Sequence, residues 1–157
     1  MNQLEIRTIG KVPESWMKEA VDMYVDRIKQ FLKIAVIELP EGQKKSASPD
    51  ISKTLKAEGV AILKGIQPGT ELIILDEGGR QFDSPGLADF LKKRLDQGKS
   101  LTFVIGGSWG LAPEVKTAAS EIISLGKMTL PHGLARVVLL EQLYRSLMIN
   151  HGRTYHK

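Results

Sequence analysis

The last five residues, Arg153-Thr154-Tyr155-His156-Lys157, combine an imidazole with an aromatic ring and two cations. An imidazole exchanges protons near neutral pH, so His156 is a candidate general base. Tyr155 could stack on a nucleic-acid base or hydrogen-bond to it, and Arg153 and Lys157 could neutralise phosphates. The alternatives are a disordered tail without a role, a tyrosine that only anchors the tail by packing, and cations that are merely solvated. A basic, aromatic tail of this kind favours contact with RNA.

Three loops follow apolar stretches and could bind a ligand through their backbone. The first follows Leu75, the second is Gly106-Gly107-Ser108-Trp109-Gly110, and the third is Leu125-Gly126-Lys127-Met128-Thr129-Leu130, which Pro131 keeps from being helical. Glycines let a backbone approach a ligand closely, and free N–H and C=O groups can hydrogen-bond to an adenine edge or a ribose. The alternative is that the glycines only end a strand. The spacing fits neither the dinucleotide-binding nor the phosphate-binding glycine motif.

Hydrophobic periodicity indicates the elements that would position these loops. It predicts strands at 4–9, 32–39, 71–75, 101–105 and 122–125, and helices at 13–29, 51–66, 85–97, 113–119 and from 134 onward. Ser84 and Pro85 are typical of an N-cap and a first helical residue, 76–79 is predicted to be a turn, and the polar segment 40–49 is predicted to be mobile.

Strands that are apolar on both faces and alternate with helices favour an α/β fold with a largely parallel sheet. Such a sheet is covered by helices on both sides. Ligands of such sheets bind beyond the carboxyl ends of the strands, and the three loops are predicted to lie there.

Length and composition are typical of one globular domain spanning residues 1–157. The chain has 157 residues, of which 42% are hydrophobic and 25% charged, and its formal net charge is +4. This mild basic excess is compatible with a polyanionic partner. Cysteine is absent and the three histidines show no ligand spacing, so we expect no metal site. Without a signal-peptide pattern or a membrane-length apolar run, we expect a cytoplasmic protein that does not enter a membrane.

The helix predicted from Leu134 is apolar on most of its sides. A helix of this kind must be covered on most sides, which favours a dimer interface, the alternative being a helix enclosed in the core of a monomer. Glu141 precedes Arg145 by four residues and is expected to pair with it along the helix. Arg136 is the better candidate for binding RNA or a cofactor. His132, at the opening of the helix, is expected to have a structural role, the alternative being that it orients a loop or touches the cofactor.

A set of short motifs occurs in a specific order along nearly the whole chain. They are Gly10-Lys11, Leu75-Asp76-Glu77-Gly78-Gly79, Ser84-Pro85-Gly86-Leu87-Ala88, Phe103-Val104-Ile105-Gly106-Gly107, Leu130-Pro131-His132, Arg136-Val137, Glu141-Gln142-Leu143-Tyr144-Arg145 and Tyr155-His156-Lys157. Each motif is weak alone, but the ordered set closely resembles the large-subunit ribosomal RNA methyltransferase H family of the SPOUT superfamily.

The resemblance implies an α/β fold whose C-terminal part is tied into a deep trefoil knot, and a homodimer with the last helix at the interface. It implies S-adenosylmethionine as methyl donor, contacted at Leu75, at Gly106 and across 125–130, the loops already chosen from the sequence pattern. It implies methylation of N3 of a pseudouridine in 23S ribosomal RNA on the assembled ribosome. Because that N3 must lose a proton, the resemblance strengthens His156, with Tyr155, as the catalytic pair.

Two residues depart from the family pattern, and two other functions stay open. Trp109 stands where the loop often has a smaller or polar residue and could cover the adenine or face the RNA. Gly133 stands where a larger residue is common. The other functions are a SPOUT enzyme with another RNA target, such as a ribose hydroxyl, and a non-catalytic ribosome-binding module. The Tyr155-His156 pair and the lack of an appended RNA-binding domain favour the pseudouridine base.

Overall fold

The structure, a computed structural model, describes residues 2–42, 48 and 50–157. Strands and helices alternate along these residues, as the periodicity predicts. The strands are β1 (Gln3–Ile9), β2 (Lys33–Leu39), β3 (Glu71–Gln81), β4 (Leu101–Ile105) and β5 (Glu121–Ser124), and the helices are α1 (Ser15–Ile28), α2 (Ile51–Leu63), α3 (Ser84–Asp96), α4 (Pro113–Ala118) and α5 (His132–Asn150). The segment predicted to be mobile, 40–49, lies partly outside the described residues.

The five strands form one sheet in the order β2-β1-β4-β3-β5, and every neighbouring pair is parallel. Because successive strand side chains point to opposite faces, Leu4, Ile6 and Phe103 pack with α1, α3 and α5, whereas Ile9 and Val104 pack with α2 and α4. The predicted parallel α/β sheet with helices on both faces is confirmed. The trefoil knot stays a prediction, because strand order alone does not define how a chain threads through its loops.

One helix start differs from the sequence-based prediction. Asp83, rather than Ser84, is the N-cap of α3, since its carboxylate accepts a hydrogen bond from the Gly86 N–H at 2.7 Å. The Ser84 hydroxyl instead donates to Gln142 Oε1 at 2.8 Å. This bond joins α3 to α5, so the serine serves the packing of two helices rather than the start of one.

Helix α5 lies between α1 and α3 and against the sheet, so one chain already covers much of its apolar surface. Leu139, Leu140, Leu143 and Leu147 are buried in the core, and none of the helix residues, all of which the structure describes, is fully exposed. The interpretation as a helix enclosed by one chain accounts for these leucines. The homodimer therefore stays a prediction that needs support from elsewhere.

Candidate functional site

The carboxyl ends of β4, β3 and β5, which are adjacent in the sheet, open onto one cavity of about 390 Å³. Pockets for small ligands typically measure about 300–1,000 Å³. All three loops predicted from the sequence contribute to the cavity, together with the start of α5. The lining residues are Leu75, Asp76, Glu77, Ile105, Gly106, Gly107, Ser108, Gly110, Leu111, Ser124, Leu125, Gly126, Met128, Thr129, Leu130, Pro131, His132 and Ala135.

The loop after β4 is folded too tightly to accept a side chain at Gly106. A Cβ atom at Gly106 would lie 2.6 Å from the Gly110 carbonyl oxygen and 3.0 Å from a Leu111 methyl group. The Gly110 N–H donates to the Gly107 carbonyl oxygen at 3.2 Å, and Gly110 has a φ of 84°, in the left-handed region that favours glycine. These glycines therefore do more than end a strand, because they bring the backbone to the edge of the cavity.

A serine that the sequence analysis missed holds the third loop. The Ser124 hydroxyl donates to the Gly126 carbonyl oxygen at 2.9 Å and accepts from the Gly126 N–H at 3.1 Å. Gly126 has a φ of 135°, so a larger residue would be strained there. The segment 125–130 is irregular, as predicted, and all of its residues except the exposed Lys127 line the cavity.

A shift in strand pairing brings two carboxylates to the cavity. Strand β3 pairs with Ile123 of β5 both before and after 76–79, so this segment bulges from the sheet. The turn predicted at 76–79 is therefore wrong, because the strand continues beyond it. Gly79 permits the bulge, since a Cβ atom there would lie 2.6 Å from the Ile123 carbonyl carbon. Asp76 and Glu77 consequently line the cavity.

His132 lines the cavity, which favours the alternative that it touches the ligand over a purely structural role. It extends from there to a smaller chamber of about 40 Å³ beside the cavity. Its Nδ1 is buried and has no hydrogen-bond partner among the described residues.

The two departures from the family pattern have different structural outcomes. Trp109 is 51% exposed and lines the smaller chamber rather than the cavity, so it does not cover the ligand cavity. Gly133 sits where α5 packs on α1, and a Cβ atom there would lie 2.8 Å from Met17 Sδ and 3.2 Å from Pro13 Cδ. The glycine is therefore explained by close packing of the two helices.

The C-terminal tail folds back onto α5. The Tyr155 ring packs edge-on against Tyr144 with centroids 4.9 Å apart, and its hydroxyl donates to Glu141 Oε1 at 3.2 Å. Arg145 donates to the same carboxylate at 2.6 Å, which confirms the expected pair, and its Nη1 lies 3.2 Å from His156 Nδ1. Burial, and then the Glu141 charge, raise the pKa of Tyr155 to about 12. The phenol therefore stays protonated at neutral pH and can donate a hydrogen bond.

The docked tail does not reach the cavity of its own chain. None of the residues 151–157, all of which are described, lines the cavity. The cavity contacts α5 in its first turn, up to Ala135, whereas the tail contacts Glu141 and Arg145. At about 1.5 Å per residue these positions are about 9–15 Å apart along the helix. Within one chain, the predicted catalytic residues therefore lie apart from the predicted cofactor-binding residues.

Arg136 is buried, which contradicts the prediction that it contacts RNA. Its side chain is 2% exposed, and its Nη1 donates to Glu38 Oε2 at 2.7 Å. Its Nη2 donates to the Gly10 carbonyl oxygen at 3.1 Å. The guanidinium therefore joins α5 to the carboxyl ends of β1 and β2. Of the other predicted RNA contacts, Arg153 and Lys157 are exposed, with Arg153 over the Phe31 ring at 5.0 Å.

Replacing Glu38 by alanine is expected to lower the free energy of unfolding by about 3 kcal/mol, because the buried Arg136 charge then lacks its partner. Urea unfolding measures this loss. The control is Glu121→Ala, whose partner Arg80 is 64% exposed, and an exposed pair contributes about 0–1 kcal/mol. Equal losses in the two variants would show that the Arg136 pair is not a structural anchor.

Neither a membrane-spanning helix nor a metal-binding cluster was found in the part of the chain that the structure describes. No described helix has both the length and the hydropathy of a bilayer span. No three described histidine, cysteine or acidic residues are grouped as ligands for a metal ion.

The parallel sheet, the three loops and the cavity define an α/β protein with a cavity of small-ligand size, lined by loop residues at the carboxyl edge of its strands. A family model described as "Predicted SPOUT methyltransferase" matches residues 2–156. The chain belongs to this family, and it is an enzyme of the methyltransferase class.

Three relatives are similar to the chain over their full length and carry the same name, "Ribosomal RNA large subunit methyltransferase H". The protein from Oenococcus oeni is 42% identical over 163 residues, with 100% of both chains covered. The protein from Acinetobacter baumannii is 39% identical over 157 residues, with 99% of both chains covered. The protein from Acinetobacter baylyi is 38% identical over 157 residues, again with 99% of both covered. These matches confirm the family resemblance found in the sequence.

Proposed function

We propose that this enzyme transfers a methyl group from S-adenosylmethionine to N3 of a pseudouridine in the 23S RNA of the assembled ribosome. The observation that carries the proposal is the convergence of three backbone loops on one cavity in a chain of the SPOUT methyltransferase family. The name of the full-length relatives supports ribosomal RNA of the large subunit as the substrate. An enzyme that acts on assembled ribosomes is proposed to be located in the cytoplasm.

The residues around the cavity fit the cofactor. Leu75, Gly106 and the cavity-lining part of 125–130 would hold it, and the absence of a side chain at Gly106 lets the loop fold tightly at the edge of the cavity. Asp76 and Glu77 can accept hydrogen bonds from ribose hydroxyls. The exposed Lys127 is proposed as a contact at the rim. When bound, the sulfonium supplies an already activated methyl group, so the task of the protein is mainly to position the reactants.

The tail residues are proposed to act on the base that accepts the methyl group. N3 of the target base carries a proton, and His156 is the proposed base that removes it. Tyr155, which stays protonated because its pKa is raised to about 12, is suited to donate a hydrogen bond or to stack on the base rather than to accept the proton. Arg153 and Lys157 are exposed and can pair with phosphates, whereas the buried Arg136 is not proposed to touch RNA.

A homodimer would complete the site, because the tail of one chain does not reach its own cavity. The outer side of α5 carries partly exposed apolar residues such as Leu134, Val138 and Met148, and the neighbouring α1 exposes Trp16 (53%) and Met23 (40%). Apolar side chains of this kind favour a protein interface. With α5 at that interface, the tail of one chain would lie beside the cavity of its partner.

Mass mapping of 23S RNA from cells with and without this protein tests the proposal. We expect one pseudouridine to lose a single methyl group in the cells that lack the protein. Loss of a methyl group from a ribose would instead identify a different RNA target. Unchanged RNA, together with no saturable heat of S-adenosylmethionine binding in calorimetry, would identify a non-catalytic ribosome-binding module.

A further inference from the structure

The smaller chamber beside the cavity contains a buried carboxylate, and no cationic side chain among the described residues pairs with it. Glu58, on α2, is only 4% exposed, and its Oε2 has no hydrogen-bond partner among the described residues. The carboxylate accepts a hydrogen bond from the Gly42 N–H, and burial followed by the neighbouring Glu41 charge raises the pKa of Glu58. No described lysine, arginine or histidine forms an ion pair with either glutamate. A buried acid with one oxygen unsatisfied and no cation beside it among the described residues is costly to keep, and it needs an explanation.

The carboxylate faces the glycine loop of the cofactor cavity. A Cβ atom at Gly107 would lie 3.2 Å from Glu58 Oε1 and 3.5 Å from its Oε2. The chamber measures about 40 Å³, and Gly107, Ser108 and His132 line both it and the cavity. The cavity and the chamber therefore adjoin each other at this loop. The space suits one or two waters or a group of similar size, and it does not suit a purine or pyrimidine ring.

We infer that this chamber receives the α-ammonium group at the methionyl end of the cofactor, with the Glu58 carboxylate as its counter-charge. An ammonium is compact, donates three hydrogen bonds and carries the charge that the chamber lacks. Glu41, at the exposed rim, adds a second negative charge that attracts a cation. The inference rests on the proposed function, since it assigns one end of the proposed cofactor to residues outside the three loops.

Calorimetry with two adenosine ligands tests this assignment on the folded, full-length protein. S-adenosylhomocysteine carries the ammonium, whereas 5′-methylthioadenosine has the same adenosine and thioether but lacks the amino-acid end. Glu58→Gln, which keeps the side-chain shape and removes the charge, should weaken binding of S-adenosylhomocysteine about tenfold. It should leave the affinity for 5′-methylthioadenosine unchanged. Glu71→Gln is the matched control, because Glu71 is a partly buried glutamate that pairs with Arg94 away from the chamber.

The outcomes separate failure of this inference from failure of the proposed function. Equal weakening of both ligands by Glu58→Gln, or no change in either, would overturn the assignment of the ammonium to Glu58. A wild-type protein that binds neither ligand would instead overturn the proposed cofactor cavity itself. If Glu58→Gln does not fold, the unmodified protein still gives a test with S-adenosylhomocysteine from which the α-amino group has been removed. That analogue should bind about tenfold more weakly, and equal affinity would overturn the inference.

Discussion

Removal of Tyr155-His156-Lys157 is expected to lower the rate of methyl transfer to ribosomes by about 10²–10⁴-fold, the contribution typical of a positioned general base. Cofactor affinity should not change, because no tail residue lines the cavity of its own chain and the tail is proposed to act on the base that accepts the methyl group. The fold should also persist, since the Glu141–Arg145 pair at 2.6 Å lies within α5 and remains after truncation. Single-turnover methylation and calorimetry on the same preparation measure the two properties separately.

Point variants show how much each tail residue contributes to the rate of methyl transfer. His156→Ala should account for most of the lost rate, whereas Tyr155→Phe removes only the hydroxyl that donates to Glu141. Thr154→Ala is the control within the tail, since its side chain is exposed. Full turnover by the truncated chain would show that the tail has no catalytic part.

A side chain at Gly106 is expected to weaken cofactor binding strongly, whereas the truncation leaves cofactor binding intact. The Cβ of Gly106→Val would meet two backbone atoms of Gly110 at 2.6 and 3.0 Å, so the loop must move rather than a flexible side chain. Overpacking of this size costs about 1–3 kcal/mol, and the upper value corresponds to an increase of about 100-fold in Kd. Calorimetry with S-adenosylhomocysteine measures the change.

The control for this variant is a glycine at which a side chain would strain the backbone but would meet no neighbouring atom. Gly65 has a φ of 73° and no atom within 4 Å of a Cβ built on it, and it lies away from the cavity. Gly65→Ala should lower the melting temperature without changing the cofactor Kd. Unaltered cofactor affinity in Gly106→Val would mean that the glycine loop is not part of the cofactor site.

Mixing these two damaged chains tests whether a partner completes the site. In a mixed dimer, the chain without its tail keeps an intact cavity, and the Gly106→Val chain keeps an intact tail. If the tail acts on the cavity of the partner, the mixture should regain methylation although neither variant is active alone. If each tail serves its own chain, no activity should return at any mixing ratio.

The sequence was sufficient to predict the elements and the loops because these depend on local pattern. The bounds of β4 follow directly from the apolar run Leu101–Ile105, all of it buried in the sheet. The irregular loop at 125–130 follows from Pro131, which disfavours helix before it. The meeting of the three loops follows from the general rule that parallel strands end at the same edge.

The contacts that the sequence did not reveal join residues far apart in the chain. The bulge at 76–79 depends on how β3 pairs with β5, and a pattern within β3 alone resembles a turn. Arg136 resembles a surface cation until its partner Glu38, 98 positions away, is placed beside it. The position of the Glu58 carboxylate could likewise not be predicted, because only the fold shows that it faces Gly107. The periodicity of a single helix or strand does not show which distant residues it will contact.

The most direct measurement is a crystal structure of the protein grown with S-adenosylhomocysteine. The account predicts density for the nucleoside inside the cavity, with its adenine against Gly106 and 125–130. Density at any other place on the protein, with the cavity still empty at saturating ligand, would contradict it.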